Sequence, residues 1–169
     1  MTTASNPAAP APRWAVRAAH AAALTTVPSG LWRIALALGL PVGYGDQVLR
    51  QDFHIPGWGA VAVVGLSVVS EALSLLTLGL VRPWGEVVPR WIPVLGGRRV
   101  RPLAAVIPAA LGSLALVYVW SGFLFWWNVD HHPAMTGPWG DIVGVLYQPL
   151  VLWGPLLAAV TVSYYRRHR

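Results

Sequence analysis

Arg33 and Glu71 are the residues of this chain that most need a chemical explanation, because each lies deep within a long apolar run. A guanidinium and a carboxylate so placed can pair, exchange protons or hold a charged ligand. An unpaired charge at the middle of a bilayer costs at least ~2.5–3.5 kcal/mol on insertion scales, so pairing or neutralisation is expected. At ~1.5 Å per residue, Arg33 lies ~12 Å from the Pro41 end of its run and Glu71 ~20 Å from the Trp58 end of its own. Side chains lean toward their own helix N-terminus, so two antiparallel helices would close the remaining ~8 Å from both ends. The expectation is an intramembrane Arg33–Glu71 ion pair. The competing outcome is an Arg33 that snorkels to the outer headgroups beside a protonated Glu71.

The neighbours of this pair are polar at helical spacing. Ser67, Ser70, Glu71 and Ser74 share one face of a helix, and Thr26, Ser29, Gly30 and Arg33 share another. Facing stripes of this kind line a wet crevice or pack helices closely through small residues, and the second reading is preferred. Ala105, Ala109 and Ser113, and Gly154 with Ala158, carry the same small-residue signature. Tyr118, Ser121, Tyr147 and Gln148 add polar groups toward the outer ends of later runs. Together with Arg33 they would form an outward-opening pocket if they converge.

The remaining chemistry-bearing residues are sparse. His54, Asp130, His131 and His132, with Asp52 and Asp141, are metal-ligand types in two loops. They lack a zinc spacing such as HExxH, and the solvated-loop reading is preferred. Haem would need axial histidines well inside the spans, whereas His20 lies near a span end. A glycine-rich phosphate loop, a nucleophile elbow and a paired-carboxylate arrangement are all missing from the sequence. No cofactor, metal or catalytic residue is therefore expected.

The elements that must position Arg33 and Glu71 follow from composition. The 169 residues include no cysteine and ten tryptophans; 56% are hydrophobic and 11% charged. A soluble domain carries about 25% charged residues. The composition excludes a disordered tail, a collagen-like fibre and a disulfide-stapled secreted domain. A water-soluble globule with so few charges would expose a large apolar surface. The formal charge is +6, and all the basic residues are arginine. They cluster beside apolar runs, which speaks for a membrane and against nucleic acid.

The expected fold class is therefore all-α, an integral membrane four-helix bundle. A tail over 1–13 precedes one domain over 14–169, with spans at about 18–41, 58–81, 102–127 and 142–164. A cleaved leader ending near Ala35-Leu36-Ala37 is the rival reading of the first run, and Arg33 within it argues against that. Arg13 and Arg17 precede the first span. Arg82, Arg90, Arg98, Arg99 and Arg101 lie between the second and third, and Arg166, Arg167 and Arg169 follow the last. Arg50 alone falls on the other side. The positive-inside rule then places both termini and the middle connector in the cytoplasm. Trp58, Trp84, Trp91, Trp126, Trp127 and Trp139 fall near span ends as interface anchors. Pro28, Pro108, Pro149 and Pro155 predict kinks, with Thr25 and Ser29 available for the carbonyl that Pro28 frees.

The connector from Pro83 to Val100, PWGEVVPRWIPVLGGRRV, resembles a segment of small multi-pass membrane proteins of high-GC actinobacteria. The resemblance implies a bacterial plasma membrane and carries over no site residue. Gly96-Gly97-Arg98-Arg99 is a turn followed by cations, suited to anionic lipid headgroups at the cytoplasmic face. The leading expectation is a non-enzymatic membrane subunit, or a small-molecule- or ion-handling protein, working as a homo- or hetero-oligomer. The alternatives are a membrane-embedded enzyme or lipid-binding protein with an outward-facing pocket, and a structural or interaction partner.

Overall fold

The computed structural model of this chain describes residues 10–85, 97, 100–128 and 133–169. The expectations placed on Arg90, Trp91, Arg98, Arg99, Asp130, His131 and His132, and on the side chains of Trp126 and Trp127, lie outside the described residues. With 75% of the chain helical and no strand among the described residues, the fold is all-helical.

The first apolar run is two helices, α1 (Arg13–Leu24) and α2 (Val27–Ala37). Pro28 stands in the first turn of α2, where a missing N–H is tolerated, and residues 25 and 26 form the joint. Thr25 Oγ1 donates to the Ala22 carbonyl and Ser29 Oγ to the Thr26 carbonyl. These hydroxyls thus brace the joint, and neither bonds the Leu24 carbonyl that Pro28 would free. A short α3 (Asp46–Gln51) lies in the following loop, then α4 (Trp58–Gly79) crosses back. After the connector come α5 (Pro102–Trp120) and a 3-10 segment, Ser121–Asn128, interrupted at Phe125 (φ −121°, ψ 51°). The chain closes with α6 (Trp139–Tyr147) and α7 (Leu150–Arg167), joined through Gln148 and Pro149.

Among the described residues, three helical stretches are long and apolar enough to cross a membrane: Trp58–Gly79, Pro102–Phe125 and Trp139–Arg167. Neither half of the divided first run reaches that length alone. In the Pro102–Phe125 stretch only 6% of the apolar window is buried within the protein, so its leucines face outward and need hydrocarbon around them.

Packing follows small residues. Ala15, Ala19 and Ala22 recur at helical spacing on α1 and are fully buried. They let α1 sit between α4 and α7, while α2 lies against α4 and α6, and α5 lies along α7. At Gly154 a Cβ would stand 2.8 Å from the Val117 backbone nitrogen and 3.0 Å from the Ser113 carbonyl oxygen, so α5 and α7 touch backbone to backbone. At the end of α4, Arg167 donates to the Leu80 carbonyl at 2.7 Å and binds that helix terminus to α7. At the opposite end of the bundle, the Thr136 N–H donates to the Gly43 carbonyl at 3.0 Å, which staples two loops together. Gly43 is required there: its φ is +106°, and a Cβ would lie 2.9 Å from Trp139 Cβ.

Candidate functional site

The polar stripes of α2 and α4 do face each other, antiparallel, and they interlock in two layers. In the layer nearer the chain termini, the Thr26 hydroxyl lies 2.8 Å from Glu71 Oε2 and 3.3 Å from Ser74 Oγ. Ser74 donates onward to the Glu71 carbonyl oxygen. Glu71 Oε1 occupies the space beside Gly30, where a Cβ would stand 3.0 Å away. Glycine at position 30 is what lets the carboxylate reach the α2 backbone. Thr26, Ser29 and Ser74 are buried, and Glu71 is half-buried.

The second layer lies one to two helical turns further out. Arg33 is 7% exposed, so its guanidinium stays inside the bundle and does not reach out along the surface. Its Nε donates to Ser67 Oγ at 3.0 Å, and Ser67 donates to the Val63 carbonyl. The guanidinium carbon lies 5.9 Å from the centre of the Tyr147 ring, within cation–π range. One terminal guanidinium nitrogen is buried without a hydrogen-bond partner.

The ion pair expected between Arg33 and Glu71 is not made: each charged group meets a hydroxyl of the facing helix instead. The reason is depth. Arg33 is level with Ser67, whereas Glu71 is level with Thr26 and Gly30. Ser67 lies four residues from Glu71, and at ~1.5 Å per residue that is ~6 Å along α4, which the side chains do not close. Thr26, Ser67 and Ser74 belong to the interlocked layers, while Ser29 is buried and bonds back to the Thr26 carbonyl. Ser70 does not, since it bonds back to the Leu66 carbonyl on an outer face. Tyr118 is 83% exposed and points away from the bundle. Gln148 is half-buried at the α6–α7 joint.

Aromatic rings occupy the space that an outward-opening pocket around Arg33 would need. Tyr147 is the hub, with ring centres 5.9 Å from Trp32, 6.0 Å from Trp120 and 6.0 Å from Phe123. Trp32 continues to Tyr44 at 6.5 Å, and Tyr44 to Phe53 at 4.8 Å. Trp32 Nε1 donates to the Val42 carbonyl, which fixes its ring against the loop. Burial pushes the Tyr44 phenol up from its ordinary value of 10.0, and the nearby Tyr147 adds to that rise. Trp32, Tyr44, Phe53, Trp120 and Phe123 give no signal in the sequence, because they come from separate helices and a loop.

Of the loop residues expected as weak metal-ligand types, Asp130, His131 and His132 lie outside the described residues. His54 is exposed with φ +53°, and Asp46 and Asp52 are exposed nearby. Among the described residues, no three His, Cys, Asp or Glu side chains gather as a metal site. His20 is exposed on α1, and its Nδ1 meets the Val16 carbonyl at 2.7 Å.

No known protein family, curated protein or solved structure matches this chain. The functional reading therefore stands on the α2–α4 polar layers themselves.

Proposed function

We propose that this chain is a four-pass plasma-membrane protein with both termini in the cytoplasm, and that it handles protons or small cations at Glu71 without catalytic chemistry of its own. The kinked α1–α2 unit supplies the fourth crossing, since Arg13–Ala37 extends over ~37 Å at ~1.5 Å per residue. The uneven distribution of arginine supports the orientation.

One observation carries the proton-handling reading. The Thr26 hydroxyl lies 2.8 Å from the Glu71 carboxylate and 3.2 Å from the Ala23 carbonyl. With Glu71 ionised, Thr26 donates its proton to the carboxylate. With Glu71 protonated, the carboxyl donates to Thr26, and Thr26 turns its own proton to Ala23. Both charge states thus keep their hydrogen bonds, so gain and loss of a proton strands no polar atom. Arg33 sits on the outer side of Glu71, a fixed positive charge beneath the aromatic rings. Its field opposes cations passing outward and favours access to Glu71 from the arginine-rich side.

The test is a proteoliposome with a pH-sensitive dye inside and an imposed pH difference. The wild-type chain is expected to speed dissipation of that difference, and Glu71→Gln to abolish the effect while inserting normally. An unchanged rate in Glu71→Gln removes the reading.

A second reading has its own support. Thr26 bridges Glu71 and Ser74 while Gly30 receives Oε1, a fit that can lock helix register for a structural subunit. In that case Glu71→Gln retains every property of the wild type, because glutamine keeps an acceptor for Thr26.

A further inference from the structure

Among the described residues, the bundle is open between α4 and α5. Packing passes from α4 to α1, from α1 to α7 and from α7 to α5, which leaves α4 and α5 scarcely in contact. Between them is a cavity of about 490 Å³, walled by Leu76 of α4 and Leu80 just past its end, Ala105, Ala109 and Gly112 of α5, and Leu157 of α7. Residues 105, 109 and 112 recur at helical spacing, so one whole stripe of α5 withholds the side chains that would fill the gap.

Its direction and dimensions identify what fills it. The groove begins at Trp84 and Gly85, beside the arginine-rich ends of the helices, and reaches Leu116 and Trp153 near mid-span. From Ala105 to Leu116 is ~16 Å along α5 at ~1.5 Å per residue. That is about half of a ~30 Å hydrocarbon core, the depth of one leaflet. Spread over that length, the volume of about 490 Å³ leaves a cross-section of roughly 30 Å². A helix with its side chains is ~10–12 Å across and does not fit such a slot, whereas a single hydrocarbon chain does. Arg82 and Arg101, both exposed, stand two and four residues along the chain from Trp84 and Ala105, which line the groove at that end. Cations at that level select an anionic headgroup.

We infer that this groove is a lipid site, holding one acyl chain of an anionic phospholipid whose phosphate lies at Arg82 and Arg101. The inference rests on the membrane placement above and on neither the sidedness nor the role of Glu71. A bound lipid would complete the α4–α5 contact and supply the core that the sequence withholds there.

The experiment is native mass spectrometry of the full chain in detergent, with phosphatidylglycerol and phosphatidylcholine added in competition. The wild type is expected to retain one phosphatidylglycerol, with a preference of roughly tenfold or more over phosphatidylcholine. Gly112→Leu with Ala109→Leu is expected to lose that retention by about tenfold or more, since each leucine fills one segment of the slot. Arg82→Gln with Arg101→Gln leaves the apolar walls intact, so it keeps a bound lipid and loses the headgroup preference. Should the leucine variant fail to fold, this arginine variant decides alone. Three results overturn the inference: a wild type that retains no lipid, an arginine variant with the full preference, or a leucine variant that folds and binds as the wild type does. A disulfide joining Leu76→Cys of two copies gives the groove to a second chain, and one joining Ala109→Cys to Val94→Cys gives it to the connector. Either would also overturn it. The readout uses detergent and no pH difference, so it is separable from failure of the proton-handling reading.

Discussion

The Thr26 hydroxyl lies 2.8 Å from Glu71 Oε2, and this contact joins α2 to α4 directly beside the joint that ends α1. It is a part-buried side-chain bond across two packed segments, made where no solvent offers Thr26 a substitute partner. Thr26→Val keeps the shape and removes the donor. Its expected cost is about 0.6–1.7 kcal/mol, the range of interhelical hydrogen bonds in membranes. Thr26→Ser is expected to lose far less, and unfolding in detergent measures both.

Arg33 is buried with one nitrogen unpartnered, so its charge is held at a cost in stability. Arg33→Met retains the long apolar stem beneath Tyr147 and removes the charge. The expected melting temperature equals or exceeds that of the wild type. Arg33→Ala leaves a void among the aromatic rings and is expected to unfold more easily than Arg33→Met. A thermal melt followed by tryptophan fluorescence separates the two.

Two glycines one helix apart should respond with opposite sign. At Gly154 an added Cβ meets Val117 Cγ2 at 2.7 Å and backbone atoms at 2.8 and 3.0 Å. Gly154→Ala is expected to destabilise by about 1–3 kcal/mol through forced separation of α5 and α7. At Gly112 the added Cβ meets only Leu157 Cδ2, at 3.9 Å. Gly112→Ala is expected to be neutral or to stabilise by up to about 1 kcal/mol, from better helix propensity. Parallel denaturation curves check the difference in sign.

Tyr44 predicts an alkaline limit. Its phenol is pushed above its ordinary value of 10.0 by burial, so the folded chain holds the proton more tightly than the unfolded chain. Its contribution is present in full below pH 10.0 and is lost as pH rises through the higher folded value. Tyr44→Phe is expected to flatten the pH dependence of stability above that point. Absorbance titration of the phenolates and a pH series of melts check it together.

The apolar runs were legible because length and hydropathy are local properties. The apolar run 58–81 contains α4, Trp58–Gly79, and the run 102–127 opens where α5 does, at Pro102. The first run was harder to read, since Pro28 makes it two helices with Thr25 and Thr26 at the joint. The α2 and α4 stripes were visible as helical spacing, and Thr26, Ser67 and Ser74 are where that spacing points. The depths of Arg33 and Glu71 were legible: counting from the run ends separates them by ~8 Å, and Ser67, the level of Arg33, lies ~6 Å from Glu71 along α4. Which partner each side chain takes was not legible, because rotation of the two helices offers Ser67 to Arg33 and Thr26 to Glu71 before the two charges meet. The Tyr147 ring cluster and the α4–α5 groove were illegible for the same reason: both depend on helix rotation and spacing, which no single run encodes.

The proposed topology has four membrane crossings with both termini in the cytoplasm. The chain has no cysteine of its own, so single cysteines can report sidedness without interference. Ala11→Cys, Gly97→Cys and His168→Cys should react with an impermeant maleimide only after the cells are opened. Gln47→Cys and Gly137→Cys should react in intact cells. Labelling of Ala11→Cys and His168→Cys from opposite sides would contradict the account.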